Sequence, residues 1–246
     1  MRLLKSLLTL NPKEGTFAAR GFDAGDPAST RKLEGMIQSF IAGFNTALTE
    51  PDLVSAGAKL NREFDSHHVG FAFEGFGLYL AGLDLGLPGK STRLAEFVTG
   101  MGVEHDYIVA VGAGFAIPRV PWGRISMSSY LKTLDPLLSW CVPCGYGFHE
   151  AFFRHQRYID RAATAPSALC ARSKRLFDSG MGRAMWWVKS ADPKRIADTI
   201  DRFPEDRRAE LWAGIGIACC YASIADSNVI HRLDILAGDY LSLIHI

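Results

Sequence analysis

The sequence predicts an all-α protein made of tandem helix pairs of about 35 residues, arranged as an α-solenoid or a closed helical toroid. Three observations carry this expectation. First, a Gly-x-Gly pair recurs at Gly75–Gly77, Gly112–Gly114, Gly145–Gly147, Gly180–Gly182 and Gly214–Gly216, with first glycines 37, 33, 35 and 34 residues apart. Second, each pair lies in an apolar segment of helical length, such as Val69 to Leu85, Tyr107 to Val120 and Leu211 to Ala225. Third, no segment shows the convincing period-two alternation of a half-buried strand.

A glycine inside a helix costs roughly 0.8–1 kcal/mol relative to alanine, so ten of them cost on the order of 8–10 kcal/mol. Close approach of neighbouring helix backbones, which a missing Cβ permits, is the natural compensation. The competing use is a dinucleotide loop, which needs a third Gly or Ala three residues after the second glycine, following a strand. Those positions hold Leu80, Ile117, Glu150, Met185 and Cys219. Ile108-Val109-Ala110-Val111 before Gly112 is the nearest mimic of such a strand. Five copies at one period favour a single packing role.

Residues 1–28 form a lead-in. Met1 to Leu10 reads as a short amphipathic helix, and Asn11 to Ala28 as irregular chain. Residues 29–240 form one all-α repeat domain. Ser29-Thr30 can cap a helix through Leu33, Ile37, Phe40, Ile41 and Phe44, whose spacings are helical. Gly43 reads as a degenerate copy of the repeat glycine, 32 residues before Gly75. Pro51 opens the next helix. The first glycine helix runs from about Ser66 to Gly86-Leu87-Pro88-Gly89, and Ser91-Thr92 caps a short partner. The second glycine helix starts near Glu104 and breaks at Pro118 and Pro121, and Ser126 to Trp140 is its partner. Pro143 opens the third, which continues to about Ala163; Pro166-Ser167 starts another partner. The fourth begins after Asp178, with Asp192-Pro193 starting the helix that follows. Pro204-Glu205-Asp206 suits the first turn of the fifth, because proline and acids favour a helix N-terminus. Residues 241–246 match the in-frame translation of a common sequencing adapter. They read as a non-native tail on a domain truncated after Tyr240.

The 246 residues are 48% hydrophobic and 22% charged, with formal net charge +1. That is enough for a large core, and the absence of a clustered basic stripe gives nucleic-acid binding no electrostatic support. The longest uncharged apolar run, Leu211 to Ala225, has 15 residues, short of the ~18 that span a bilayer. Five cysteines, an odd number, and no secretory signal point to reduced thiols and a cytoplasmic location.

The repeat supplies its own control for candidate site residues. One position before the first glycine stand Glu74, Val111, Cys144, Ser179 and Ala213; three after it Leu78, Phe115, Phe148, Arg183 and Ile217; four after it Tyr79, Ala116, His149, Ala184 and Ala218. Glu74, His149 and Arg183 thus replace small or apolar residues on packed faces, where a charge is costly unless paired. They form either a structural network or a polar site in a central apolar cavity. In the second case Glu74 serves as a base, His149 as an acid–base group and Arg183 as an anchor for an anion or carbonyl. Asp178, Trp186 and Trp212 are candidates for binding, with helix capping the competing role for Asp178 and core packing for the tryptophans, Trp187 included. Cys141-Val142-Pro143-Cys144 has the form of a redox pair but lacks the βαβ context of one. His149 and His155 lie roughly 240° apart around a helix and cannot readily share a metal; no metal site is expected, and no cofactor can be named.

Several segments together resemble a bacterial family of unknown function found in enediyne antibiotic gene clusters, the UnbL-like proteins. They are Phe71-Ala72-Phe73-Glu74-Gly75, Val111-Gly112-Ala113-Gly114-Phe115-Ala116, Gly147-Phe148-His149, Phe177-Asp178-Ser179-Gly180-Met181-Gly182-Arg183-Ala184 and Leu211-Trp212-Ala213-Gly214-Ile215-Gly216. The resemblance implies a place, a set of enzymes building reactive polyketides, and no reaction. The expectation is a protein that encloses an apolar intermediate in a helical cavity and assists its cyclisation, modification or protection. The alternative is a non-enzymatic scaffold that binds a biosynthetic partner protein along a groove.

Overall fold

A computed structural model describes residues 8–50, 52–89, 92–120, 126–222 and 227–243. Most of the amphipathic helix expected over Met1 to Leu10, the helix start at Pro51, the break at Pro121, the cap at Ser91 and the tail's residues 244–246 lie outside the described residues. Among those residues all regular structure is helical. The helices are α1 (Phe17–Arg20), α2 (Pro27–Thr49), α3 (Leu53–Glu63), α4 (Val69–Gly86), α5 (Arg93–Val98), α6 (Asp106–Gly114), α7 (Met127–Leu131), α8 (Cys141–Phe153), α9 (Ala171–Val188), α10 (Pro193–Ile200), α11 (Glu205–Tyr221) and α12 (Ser227–Ala237).

The glycine helices pack directly on one another in a row, α2 on α4, then α6, α8, α9 and α11. The contact is backbone to backbone and keeps one register. The first glycine of each pair faces the carbonyl one residue before the first glycine of the preceding copy. A Cβ on Gly112 would lie 1.9 Å from the Glu74 oxygen, and one on Gly145 1.9 Å from that of Val111. Gly180 meets Cys144 and Gly214 meets Ser179 in the same way. The second glycine faces forward, Gly77 onto Val109, Gly114 onto Val142, Gly147 onto Phe177 and Gly182 onto Leu211. Gly43 onto Ala72 and Gly75 onto Phe40 extend the pattern to α2. Gly43 therefore occupies the second glycine position, in register with Gly77 rather than with Gly75. No side chain could stand at these points without parting the helices.

The partner segments are less regular than the expected helix pairs. The stretch from Ser126 to Trp140 is the short α7 and a 3-10 turn at Leu138–Trp140. No helix forms at Pro166-Ser167; α8 passes to α9 through a π-turn at Gln156–Asp160 and irregular chain. Caps also differ locally. Asp26, not Ser29, caps α2 by accepting from the Ser29 amide at 2.8 Å, with Pro27 in the first turn. Asp84, from within α4, accepts from the amides of Arg93 and Leu94 and so satisfies the start of α5. Asp192 caps α10, and Pro204 with Glu205 and Asp206 opens α11, as their types predict.

The lead-in is ordered and tied to the row at both ends. Asn45 exchanges two 2.9 Å hydrogen bonds with the Leu10 backbone, and the Glu34 carboxylate accepts from the Phe17 amide. Phe17 and Phe22 are buried, and Phe22 meets Phe152 edge to face at 4.9 Å. Beyond it Asp23 binds Lys189, its carbonyl accepts from Ser190, and its amide donates to Val188. His155 Nε2 lies 3.1 Å from the Arg20 carbonyl, a role that no motif announces.

Paired substitutions test the packing account. Gly145→Ala is expected to lower the unfolding free energy by about 3 kcal/mol or more, since its Cβ would collide with backbone. Gly82→Ala, also in a glycine helix, finds no atom within 4 Å and is expected to be neutral or to stabilise by up to about 1 kcal/mol. Urea melts giving the same change for both would refute a special role for the repeat glycines.

Candidate active site

The register of the row brings side chains from distant copies onto one inner face. Phe115 of the loop after α6 packs, with tilted rings, between Phe40 of α2 at 5.0 Å and Phe148 of α8 at 5.3 Å. Phe148 meets Trp187 of α9 at 5.4 Å, and Trp187 meets Phe71 of α4 at 6.2 Å. These aromatic rings line a cavity of about 260 Å³, together with Met36, Ile37 and Ile41 of α2 and Phe152 and Phe153 of α8. The polar groups on its wall are Glu74, Arg119, and the lead-in residues Asn11, Glu14 and Arg20.

Glu74 is 3% exposed, and its Oε1 has no hydrogen-bond partner. Burial raises its pKa to about 7, against the opposing pull of the Arg183 charge. The two feel each other without forming a direct ion pair. Arg183 is wholly buried; it donates to Tyr221 Oη at 3.1 Å and to Cys144 Sγ at 3.5 Å, and its guanidinium lies 5.0 Å from the Tyr221 ring centre. Two of the three odd residues of the repeat thus share one environment. Arg183 stands behind the cavity wall, which Glu74 reaches.

His149 is placed differently. Its Nε2 accepts from Arg119 Nε at 3.0 Å, so Nδ1 carries the proton toward Glu150 Oε1 at 3.2 Å. Burial lowers its pKa to about 4, although the hydrogen bond to Glu150 works the other way. The imidazole is neutral near pH 7. It holds Arg119 in place and does not itself line the cavity.

Asp178 does not cap a helix. It lies inside α9 and forms a bidentate ion pair with Arg207 of α11, at 2.8 and 2.7 Å. Arg207 also donates to the carbonyls of Ala162 and Ala163, which fastens the irregular link before α9. Trp186 and Trp212 are buried in the core, and the tryptophan at the cavity is Trp187, next in sequence to Trp186. Cys141 and Cys144 are both buried, and burial pushes the Cys141 thiol up to about 12, the opposite of what a redox thiol needs. Among the described residues no three His, Cys, Asp or Glu side chains gather as metal ligands, and no helix is long and apolar enough to cross a membrane.

Arg20 and Arg119 escaped the sequence argument. Arg20 lies in the lead-in, and Arg119 lies past the end of α6, so neither falls on a repeat position that the glycines calibrate. Both stack over Phe153, at 5.2 and 4.8 Å from its centre.

Two buried groups give stability opposite pH slopes. Glu74 has a raised pKa, so its contribution is greatest below about 4.5 and is lost as pH rises toward 7. His149 has a depressed pKa, so its contribution is present above 6.5 and is lost as pH falls toward 4. Glu74→Gln keeps the shape and removes one slope. It is expected to be more stable than wild type at pH 8, by up to roughly 3 kcal/mol, and little different at pH 4.5. Denaturant melts at both pH values check this; a constant difference would show that Glu74 ionises normally.

No curated protein and no solved structure matches the chain. Over residues 1–246 it matches the family described as protein of unknown function (DUF1702). A match of that extent makes the chain a member of the DUF1702 family.

Proposed function

We propose that the protein holds an apolar small molecule in the aromatic cavity and transfers a proton to or from it through Glu74. The observation that carries this is a buried carboxyl with one oxygen unpartnered, set in the wall of an apolar cavity. An acid poised near neutrality in such a site can donate a proton when protonated and accept one when ionised. Arg183 sets how easily Glu74 ionises, and anchors no ligand directly. On this account the row of glycine helices is the curved wall of a solenoid or toroid, and the lead-in closes one side.

The place of action we infer is natural-product assembly, in the enediyne or polyketide class. The support is the resemblance of the glycine-bearing segments to the UnbL-like proteins. The product of proton transfer there would be a cyclised or isomerised polyene. The alternative of a scaffold for a partner enzyme calls for aromatic side chains exposed along the inner face. Phe71, Phe115, Phe148 and Trp187 are instead buried, which favours a small ligand.

Native mass spectrometry of the purified protein, followed by solvent extraction, tests the reading. An apolar molecule is expected to accompany wild type and Glu74→Gln, and to be lost from Ile37→Trp, which fills the cavity. Thermal melts identify a variant that merely misfolds. Metabolite profiles of a host carrying Glu74→Gln are expected to lose the product; an unchanged profile would remove Glu74 from any acid–base role.

A further inference from the structure

The cavity has a charged mouth that its apolar walls do not explain. Arg20 and Arg119 stand side by side there, each stacked on Phe153. Two guanidiniums at one ring repel, and the charge of Arg20 helps depress the pKa of the half-buried Arg119 to about 10, after burial itself. Glu14 pairs with Arg20. Arg119 has no such compensation: its Nε is spent on the neutral His149 imidazole, and among the described residues no carboxylate lies within ion-pair reach of it. A partly buried cation without a counter-ion is unfavourable unless something else supplies the charge. His149, backed by Glu150 and Arg154, keeps the guanidinium at the opening rather than letting it swing to solvent.

From this half-buried end the lining continues over Phe115, Phe148, Phe40 and Phe71 to the buried Glu74 carboxyl. The site therefore has an anion-binding end, an apolar middle and a hydrogen-bonding far end. We propose that the ligand is an amphipathic carboxylate, with its anionic head on Arg119 and Arg20, its apolar chain along the phenylalanines, and its far end near Glu74. Guanidinium suits this head because its fork of donors matches a carboxylate. A volume near 260 Å³, against about 150 Å³ for a cavity that takes up benzene, admits a ligand of roughly ten heavy atoms. That is a medium-length chain, which would present a carbon remote from its carboxylate to Glu74. This inference rests on the cavity reading above and adds the polarity and direction of the ligand to it.

Isothermal titration with octanoate and with 1-octanol separates the two claims. Wild type is expected to bind octanoate at least tenfold more tightly than octanol, with both lost in Ile37→Trp. Arg119→Met should erase the preference for the acid while leaving octanol binding intact, and Arg119→Lys should keep most of it. Equal affinity for acid and alcohol in wild type, or an unchanged preference in Arg119→Met, would overturn the carboxylate inference and leave the cavity reading standing. Binding of neither ligand by folded wild type would overturn both. Octanoate binding that survives Ile37→Trp would place the acid outside the cavity and overturn the inference as well.

Discussion

Glycine against a neighbouring carbonyl is the contact on which this structure depends. At each step of the row a backbone oxygen sits where a Cβ would otherwise stand, at about 2 Å from it. Such an approach brings helix axes closer than any side chain allows, and Cα–H to carbonyl contacts add a modest attraction. It also removes ambiguity. Ridges and grooves of ordinary side chains tolerate several offsets, whereas a pair of notches two residues apart accepts only one. The cost of glycine within the helices is offset by this close and singular fit.

A singular fit has consequences beyond stability. Because one register is kept from α2 to α11, the residues one before and three after each first glycine come to neighbouring places on successive helices. Phe40, Phe115 and Phe148 pack ring against ring because of it, and Glu74 and Arg183, far apart in sequence, feel each other's charge. Phe71 of α4 also meets Trp187 of α9 and Tyr221 of α11, helices that are not its neighbours in the row. The lead-in then crosses between α2 and the end of α9, and its polar residues become part of the opening.

Electrostatics divides the interior into three kinds of charge. Asp178 and Arg207 are paired and hydrogen-bonded on nearly all sides, which makes them a clamp between α9 and α11. Arg183 is solvated by a phenol, a thiol and aromatic faces. Glu74 keeps one oxygen without a partner and Arg119, among the described residues, has no carboxylate beside it, and both line the cavity. A buried carboxyl oxygen without a partner and a half-buried cation without a counter-ion are both costly, and in this cavity a ligand would complete them.

The helical class, the period and the packing role of the glycines are legible in the sequence, because a missing Cβ repeated at one interval has few other physical meanings. The same repeat singled out Glu74 and Arg183 as charges on packed faces. It also singled out His149, but spacing alone could not show that this imidazole faces Arg119 and Glu150 rather than Glu74. Asp178 looked like a cap because it precedes a glycine pair, and only the position of Arg207 in a later helix reveals the ion pair. The tertiary structure alone decided that Trp187, not Trp186 or Trp212, reaches the cavity, since one residue along a helix turns a side chain by about 100°. It alone brought Arg20 and Arg119 to one opening. Arg20 ends the short α1 and Arg119 lies past the end of α6, both outside the glycine repeat, and their meeting depends on long-range contacts that local sequence does not encode.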